Sequence, residues 1–277
     1  MTKRMQDLAT IFIDADNTLW DTDTVFADAQ LGLLGQVERA SGRKAAVEDR
    51  LALIRSVDQA LAERHHAGLR YPPHLLARGI ELVLEHGYAA DDAARLAWRG
   101  RPDYALNKGE VERIETAYFQ DIARHPALRP GVADGLRRLH SAGHTLLIVS
   151  EGRKTKIEGI AEQLGLRASF DRVIEGVKSP DLYRRILRLT GMPKRALMIG
   201  DQLDRDIVPA KAAGLETIYF PGGFRPRWSL NISQAQADYV IETFASVPGI
   251  VDGQIDGVRS DSPDVGPPAK RRALGRN

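Results

Sequence analysis

Six short apolar runs constrain the architecture of this chain more than any other feature. They lie within residues 9 to 15 (around TIFI), 145 to 150 (TLLIVS), 171 to 175 (DRVIE), 195 to 200 (RALMIG), 216 to 220 (ETIYF) and 238 to 241 (DYVI), each bounded by charge, Gly or Pro. Most are continuously apolar instead of alternating, which is the pattern of parallel strands buried on both faces. Helical patterns separate them at Gly131–Ala142, Lys154–Leu164, Pro180–Thr190 and Asp206–Ala213, with Gly143, Gly165, Gly191 and Gly214 at the expected stops. Strand, helix and strand repeated in this way predict a doubly wound α/β layer with a parallel sheet.

The stretch from 22 to 125 departs from that rhythm. It is rich in Ala, Leu, Arg and Glu, holds no strand-like run, and spaces its apolar residues helically (Leu31, Leu34, Val37; Leu51, Ile54, Val57, Leu61; Ile80, Val83, Leu84). An all-helical insert of about five helices is expected there, attached just after the first strand, with residues 1–21 and 126–251 forming the α/β core. Residues 252–277 mix Gly, Pro, Asp and Ser with the basic run Lys270-Arg271-Arg272 and offer no core, so a disordered, solvated tail is expected.

Composition narrows the class of function. The chain has 277 residues, enough for a large core, and Lys+Arg 39 against Asp+Glu 37 is too balanced for a general nucleic-acid or membrane surface. Nucleic acid is therefore not an expected partner. Cys 0 excludes disulfides, cysteine nucleophiles and thiolate metal sites. No apolar run reaches the roughly 20 residues that span a bilayer, and the N-terminus shows no signal-peptide cleavage pattern, so a soluble cytoplasmic protein is expected.

In an open parallel sheet, ligands sit beyond the carboxyl ends of the strands. The first strand runs into DADNT, presenting Asp14, Asp16 and Thr18; the second ends IVSEG at Ser150. Lys178 stands in EGVKSPD before a helix, and the fourth strand ends MIGDQLDRD with Asp201, Asp204 and Asp206. Each admits a plainer reading: Asp16 or Asn17 capping a turn, Ser150 or Asp206 capping a helix, Lys178 as a loop charge. Together, carboxylates, a hydroxyl and an ammonium at four successive tips suit a divalent cation and a phosphate.

This ordered set resembles the haloacid dehalogenase (HAD) superfamily of aspartate-nucleophile phosphohydrolases, over roughly residues 7 to 21 and 128 to 242. The resemblance implies a Rossmann-like core with its first strand central in a sheet ordered 5-4-1-2-3, and a helical cap inserted after the first motif. It makes Asp14 the nucleophile that forms an aspartyl-phosphate, and Asp16 the acid and then the base. It implies Mg²⁺ held by Asp14, the backbone carbonyl of Asp16 and Asp201, with Asp206 steadying the ion from outside its ligands. Ser150 and the amides after Asp14 would hold phosphoryl oxygens, and Lys178 would stabilise phosphate and nucleophile. Glu151 stands where Asn is common, and Lys178 is followed by Ser179-Pro180 instead of Pro directly.

The expected function is a Mg²⁺-dependent phosphatase acting on a small phosphorylated metabolite. Asp16 argues against dehalogenase chemistry, which normally lacks it; a phosphomutase of the same fold and a non-catalytic binding protein remain the alternatives. Substrate contacts are sought in the insert among Arg55, Arg64, His65, His66, Arg70 and Tyr71, although a solvated helix face explains such residues equally well. The substrate itself and the oligomeric state are not legible.

Overall fold

The computed structural model describes residues 8–66, 68–100 and 103–254. Strand β1 (Thr10–Ile13) is followed by helices α1 (Thr22–Ser41), α2 (Arg50–Arg64), α3 (Pro73–His86), α4 (Ala90–Arg99) and α5 (Lys108–Ile122). Then come α6 (Val132–Ser141), β2 (Thr145–Ser150), α7 (Lys154–Gln163), β3 (Arg172–Glu175), α8 (Pro180–Leu189) and β4 (Ala196–Gly200). The described elements end with α9 (Val208–Ala212), β5 (Glu216–Tyr219), α10 (Ile232–Ala235), β6 (Tyr239–Val240) and α11 (Val247–Val251). No helix among the described residues is long and apolar enough to cross a membrane.

Two compact units result. One holds residues 8–19, 129–221 and 229–254 of those described; the other holds Trp20–Leu128 and Gly222–Trp228. The first is built on a parallel six-stranded sheet in the order β3-β2-β1-β4-β5-β6, which is the expected order with β6 added at one edge. Its register aligns the tips, since Ile13 lies opposite both Ile148 and Ile199. All of β1 is buried, as a central strand covered on both faces must be. On one face Phe12, Val149 and Met198 pack with Tyr183 and Ile186 of α8, with the Phe12 and Tyr183 rings edge to face at 5.8 Å.

The helical unit forms where local signals agree with packing. Asp21 caps α1 by accepting from Thr24 N at 2.9 Å, Asp49 caps α2 by accepting from Ala52 N at 2.8 Å, and Asn107 with Glu110 forms a capping box on α5. Its core joins Leu33, Leu34, Val37, Ile54, Val57, Leu61, Leu76, Ile80, Val111 and Ile114. Leu31, expected in the α1 stripe, is only half-buried; Leu33 takes the inward position. Helices α2 and α3 approach closely at Gly79, where a Cβ would come within 2.7 Å of Val57.

Two boundaries differ from the sequence reading. Residues 222–228, placed by sequence in the α/β layer, belong with the helical unit. There Arg227 pairs with Glu63 through Nε and Nη2 and reaches Asp91 at 3.2 Å, while the Arg55 guanidinium lies 4.3 Å from the centre of the Phe224 ring. The helix after β4, expected from Asp206, begins earlier as a π-turn over Leu203–Ile207 and continues into α9. The basic run at 270–272 lies outside the described residues.

Candidate active site

The polar residues gather where β1, β2 and β4 end. Asp14 follows β1 directly and is anchored by its amide, which donates to Ile199 O at 2.9 Å. The chain then turns tightly: Thr18 and Leu19 amides both reach back to Ala15 O, and Asn17 takes a left-handed φ of 59°. Asn tolerates that conformation better than most residues. The turn brings the Thr18 hydroxyl to Asp14 Oδ2, donating at 3.2 Å, so Thr18 braces the carboxylate from a fully buried position. Asp16, on the same turn, is half-buried, and its charge acts on Asp14.

Lys178 reaches this point from the loop before α8, whose start is set by Ser179 as cap and Pro180 in the first turn. Its Nζ donates to Asp14 Oδ1 and, at 2.5 Å, to Asp206 Oδ1. All three side chains are almost fully buried. Asp206 is held at its other oxygen, which accepts from Gln202 N at 2.9 Å across the π-turn. Asp201 completes a group with Asp14 and Asp206 in which one carboxylate oxygen from each lies within 4.8 Å of the others.

Charge in this group is unbalanced. Three carboxylates face one ammonium, leaving two negative charges uncompensated if all ionise. Burial pushes the Asp14 carboxyl up to about 7, against the pull of Lys178 and with help from Asp206 and Asp16. Burial likewise raises Asp201 well above the usual carboxylate range, aided by Asp14 and Asp206. Lys178 is held firmly protonated, because Asp14 and Asp206 outweigh the opposing effect of its burial. Asp201 Oδ1 is buried and accepts no hydrogen bond from the described residues. A buried acceptor without a donor, in a hard-oxygen group whose full ionisation would leave two excess negative charges, fits a divalent cation such as Mg²⁺.

Of the residues singled out from sequence, Asp14, Lys178, Asp201 and Asp206 come together. Ser150 is buried at the tip of β2, where its Oγ accepts from Gly152 N at 3.0 Å. Asp204 is exposed and stands outside the group. In the helical unit, Tyr71 is not an available contact: it is buried and donates to Asp58. Arg55 is paired with Asp23 at 2.7 Å and Arg64 with Asp91 at 2.8 Å.

Sequence reasoning missed Arg129. Its guanidinium donates to the carbonyls of Asn17, Phe220 and Pro221 and lies 3.5 Å from the centre of the Phe220 ring, tying the turn after β1 to the end of β5. No local pattern marks it, because its partners are 91 to 112 residues away. Tyr183 was likewise unmarked; its hydroxyl is buried without a partner, and burial together with Asp206 suppresses its ionisation.

Comparison with known proteins gives the chain's family. The model of the haloacid dehalogenase-like hydrolases matches residues 8–214. The chain is 28% identical to the glyceraldehyde 3-phosphate phosphatase of Pyrococcus furiosus, covering 86% of this chain and 90% of that protein. It is 26% identical to the phosphoglycolate phosphatase of Caulobacter vibrioides over 63% of this chain and 72% of that protein. Among solved structures, a HAD-type hydrolase from Bacillus subtilis bound to magnesium aligns with a TM-score of 0.56 at 20% identity, covering 88% of this chain and 99% of that one.

Proposed function

This chain belongs to the haloacid dehalogenase-like hydrolases, and from that membership we propose that it is a phosphatase releasing inorganic phosphate from a small phosphomonoester. The observation that carries this reading is the bridge formed by Lys178 between Asp14 and Asp206 beside the unpartnered oxygen of Asp201. The phosphatase relatives at 28% and 26% identity support the same reaction class.

Asp14 is the nucleophile. Thr18 holds one carboxylate oxygen and Lys178 the other, which fixes the side chain and keeps it from rotating away from an incoming phosphorus. A carboxylate oxygen of Asp14 forms a bond to phosphorus as the bond to the leaving oxygen breaks. Asp16 delivers a proton to that oxygen, so the alcohol departs neutral. Water then attacks the aspartyl-phosphate, Asp16 takes its proton, and phosphate leaves with Asp14 restored. Lys178 offsets charge on Asp14 throughout, and Ser150 offers its hydroxyl to a phosphoryl oxygen.

Asp14, Asp201 and the Asp16 carbonyl would hold Mg²⁺, with Asp206 bracing the group through Lys178 and the Gln202 amide. Bound there, the ion supplies charge neutralisation and polarises a phosphoryl oxygen.

The test is phosphate release from a panel of phosphorylated metabolites with Mg²⁺ present, run on the parent and on Asp14→Asn. The parent is expected to release phosphate from at least one small monoester and to form a beryllium fluoride adduct; the variant, nearly isosteric, is expected to stay folded and do neither. Equal turnover by the two proteins would remove Asp14 as nucleophile.

A further inference from the structure

The residue after Ser150 is a carboxylate, Glu151, on the loop offered above for phosphoryl binding. A fixed negative charge beside an incoming phosphate is unfavourable, and the site already carries several carboxylates. Glu151 is not left bare. Its Oε2 takes the Arg205 guanidinium, and its Oε1 lies 3.4 Å from the backbone N of Lys178. Arg205 projects from the π-turn after β4, where its Nη1 is 3.5 Å from the Gln202 side-chain oxygen. One ion pair therefore joins the loops that carry Ser150, Lys178 and Asp206.

We propose that Arg205 is a positioning residue that masks the charge of Glu151, so that the loop after β2 admits a phosphate group. The proposal rests on the phosphatase reading. It is distinct from a simple structural clasp because it makes the two partners act with opposite sign. Removing the guanidinium takes one positive charge away from Glu151, which then repels phosphate more strongly. Removing the carboxylate charge leaves a bare guanidinium that attracts it. A clasp would suffer in the same direction from either loss.

The experiment is calorimetric binding of inorganic phosphate to the Mg²⁺-loaded full chain, compared for the parent, Arg205→Met, Glu151→Gln, the double variant and Arg205→Lys. Arg205→Met is expected to weaken binding on the order of tenfold, with the loss shrinking at high ionic strength. Glu151→Gln is expected to tighten binding, and the double variant and Arg205→Lys to return close to the parent. In turnover, the Arg205→Met effect is expected in KM far more than in kcat. Two single variants that both weaken binding, a double variant as poor as Arg205→Met, or a parent that binds no phosphate would overturn the proposal. Ordinary phosphate binding without release from any monoester would reject the phosphatase reading while leaving the masking measurable.

Discussion

Gly200 leaves the space that Asp206 fills: a Cβ on residue 200 would lie 2.3 Å from the Asp206 carboxyl carbon and 2.4 Å from its Cβ. No rotation of the Asp206 side chain relieves a clash with its own Cβ, so the π-turn itself would have to move. Gly200→Ala is therefore expected to destabilise the protein by about 1–3 kcal/mol, the usual cost of overpacking. It should also displace Asp206 from Lys178 and so impair phosphate release. Thermal denaturation and turnover of one preparation check both; an unchanged Tm would show that the turn yields freely.

Lys178 is the sole cation bonded to Asp14 and Asp206 among the described residues. In Lys178→Met the carboxylates keep their burial and lose their compensation. Breaking a buried pair from one side costs about 3–5 kcal/mol. The sign with pH follows from Asp14, whose carboxyl is already raised by burial and would rise further without Lys178. The neutral forms are tolerated at low pH, so the deficit against the parent should be small near pH 4 and grow as pH rises through neutrality. Urea unfolding at pH 4.5 and 8 measures the difference, and an equal deficit at both would reject this account.

The unpartnered Asp201 oxygen gives a metal prediction. Mg²⁺ at about 100 times its dissociation constant should stabilise the protein by about 2.7 kcal/mol, because binding favours the folded state by mass action. A rise in Tm of roughly 5–10 °C corresponds to that for a chain of this size. Asp201→Asn should abolish most of the rise, and excess chelator should stop phosphate release. Full activity in chelator, with metal-free protein verified by elemental analysis, would exclude the metal.

The sheet was legible because buried parallel strands announce themselves as continuous apolar runs, and TLLIVS and RALMIG are strands to within a residue of their expected ends. That Asp14, Lys178, Asp201 and Asp206 lie together could be expected from sequence because each stands in a loop or turn that follows a strand of a parallel sheet. What escaped depends on long-range contacts that leave no periodicity. The π-turn starts at Leu203 instead of Asp206, with the Asp206 carboxylate reaching back to the Gln202 amide. Arg129 acts on carbonyls remote in sequence. Glu151 was noticed as an unusual residue, but its pairing with Arg205 across 54 positions was not readable.

Residues 222–228 offer a test of one such contact. Their attachment to the helical unit rests on Arg227, whose backbone N donates to Gln59 Oε1 at 2.6 Å and whose side chain pairs with Glu63 and Asp91. The pairs are more than a third exposed, so Arg227→Ala is expected to change global stability by less than about 1 kcal/mol. Local opening is a more sensitive readout. Protection of the amides across 223–227, taken relative to their intrinsic exchange rates at each pH, should fall in the variant, and in the parent when the pH drops far enough to protonate Glu63 and Asp91, both held below their usual range by hydrogen bonds from Arg227. Unchanged exchange in Arg227→Ala would mean that the Arg227 side chain does not hold the segment, leaving that to contacts such as Arg55 with Phe224 and the Arg227 amide with Gln59.

Asp58, in the helical unit, provides a pH test read from stability alone. Burial raises its pKa, opposed by hydrogen bonds from Tyr71 and Gln30 and by the charge of Arg55. A carboxyl raised in the folded state contributes stability that is fully present below its unfolded pKa near 4 and is lost as pH rises through the folded value. The parent should therefore carry a penalty at pH 8 that is missing at pH 4. Asp58→Asn removes the titration while keeping an oxygen for the Tyr71 hydroxyl. The amide it introduces also brings a donor to a neighbourhood where Gln30 Oε1 is buried and accepts nothing. Supplying a donor to such an oxygen is worth about 1 kcal/mol. The variant should be more stable than the parent at pH 8, and its advantage should shrink as the pH falls and the parent's raised carboxyl takes up its proton. Denaturant unfolding across that range decides it: a variant less stable at every pH would mean that ionised Asp58 is a net asset to the helical core.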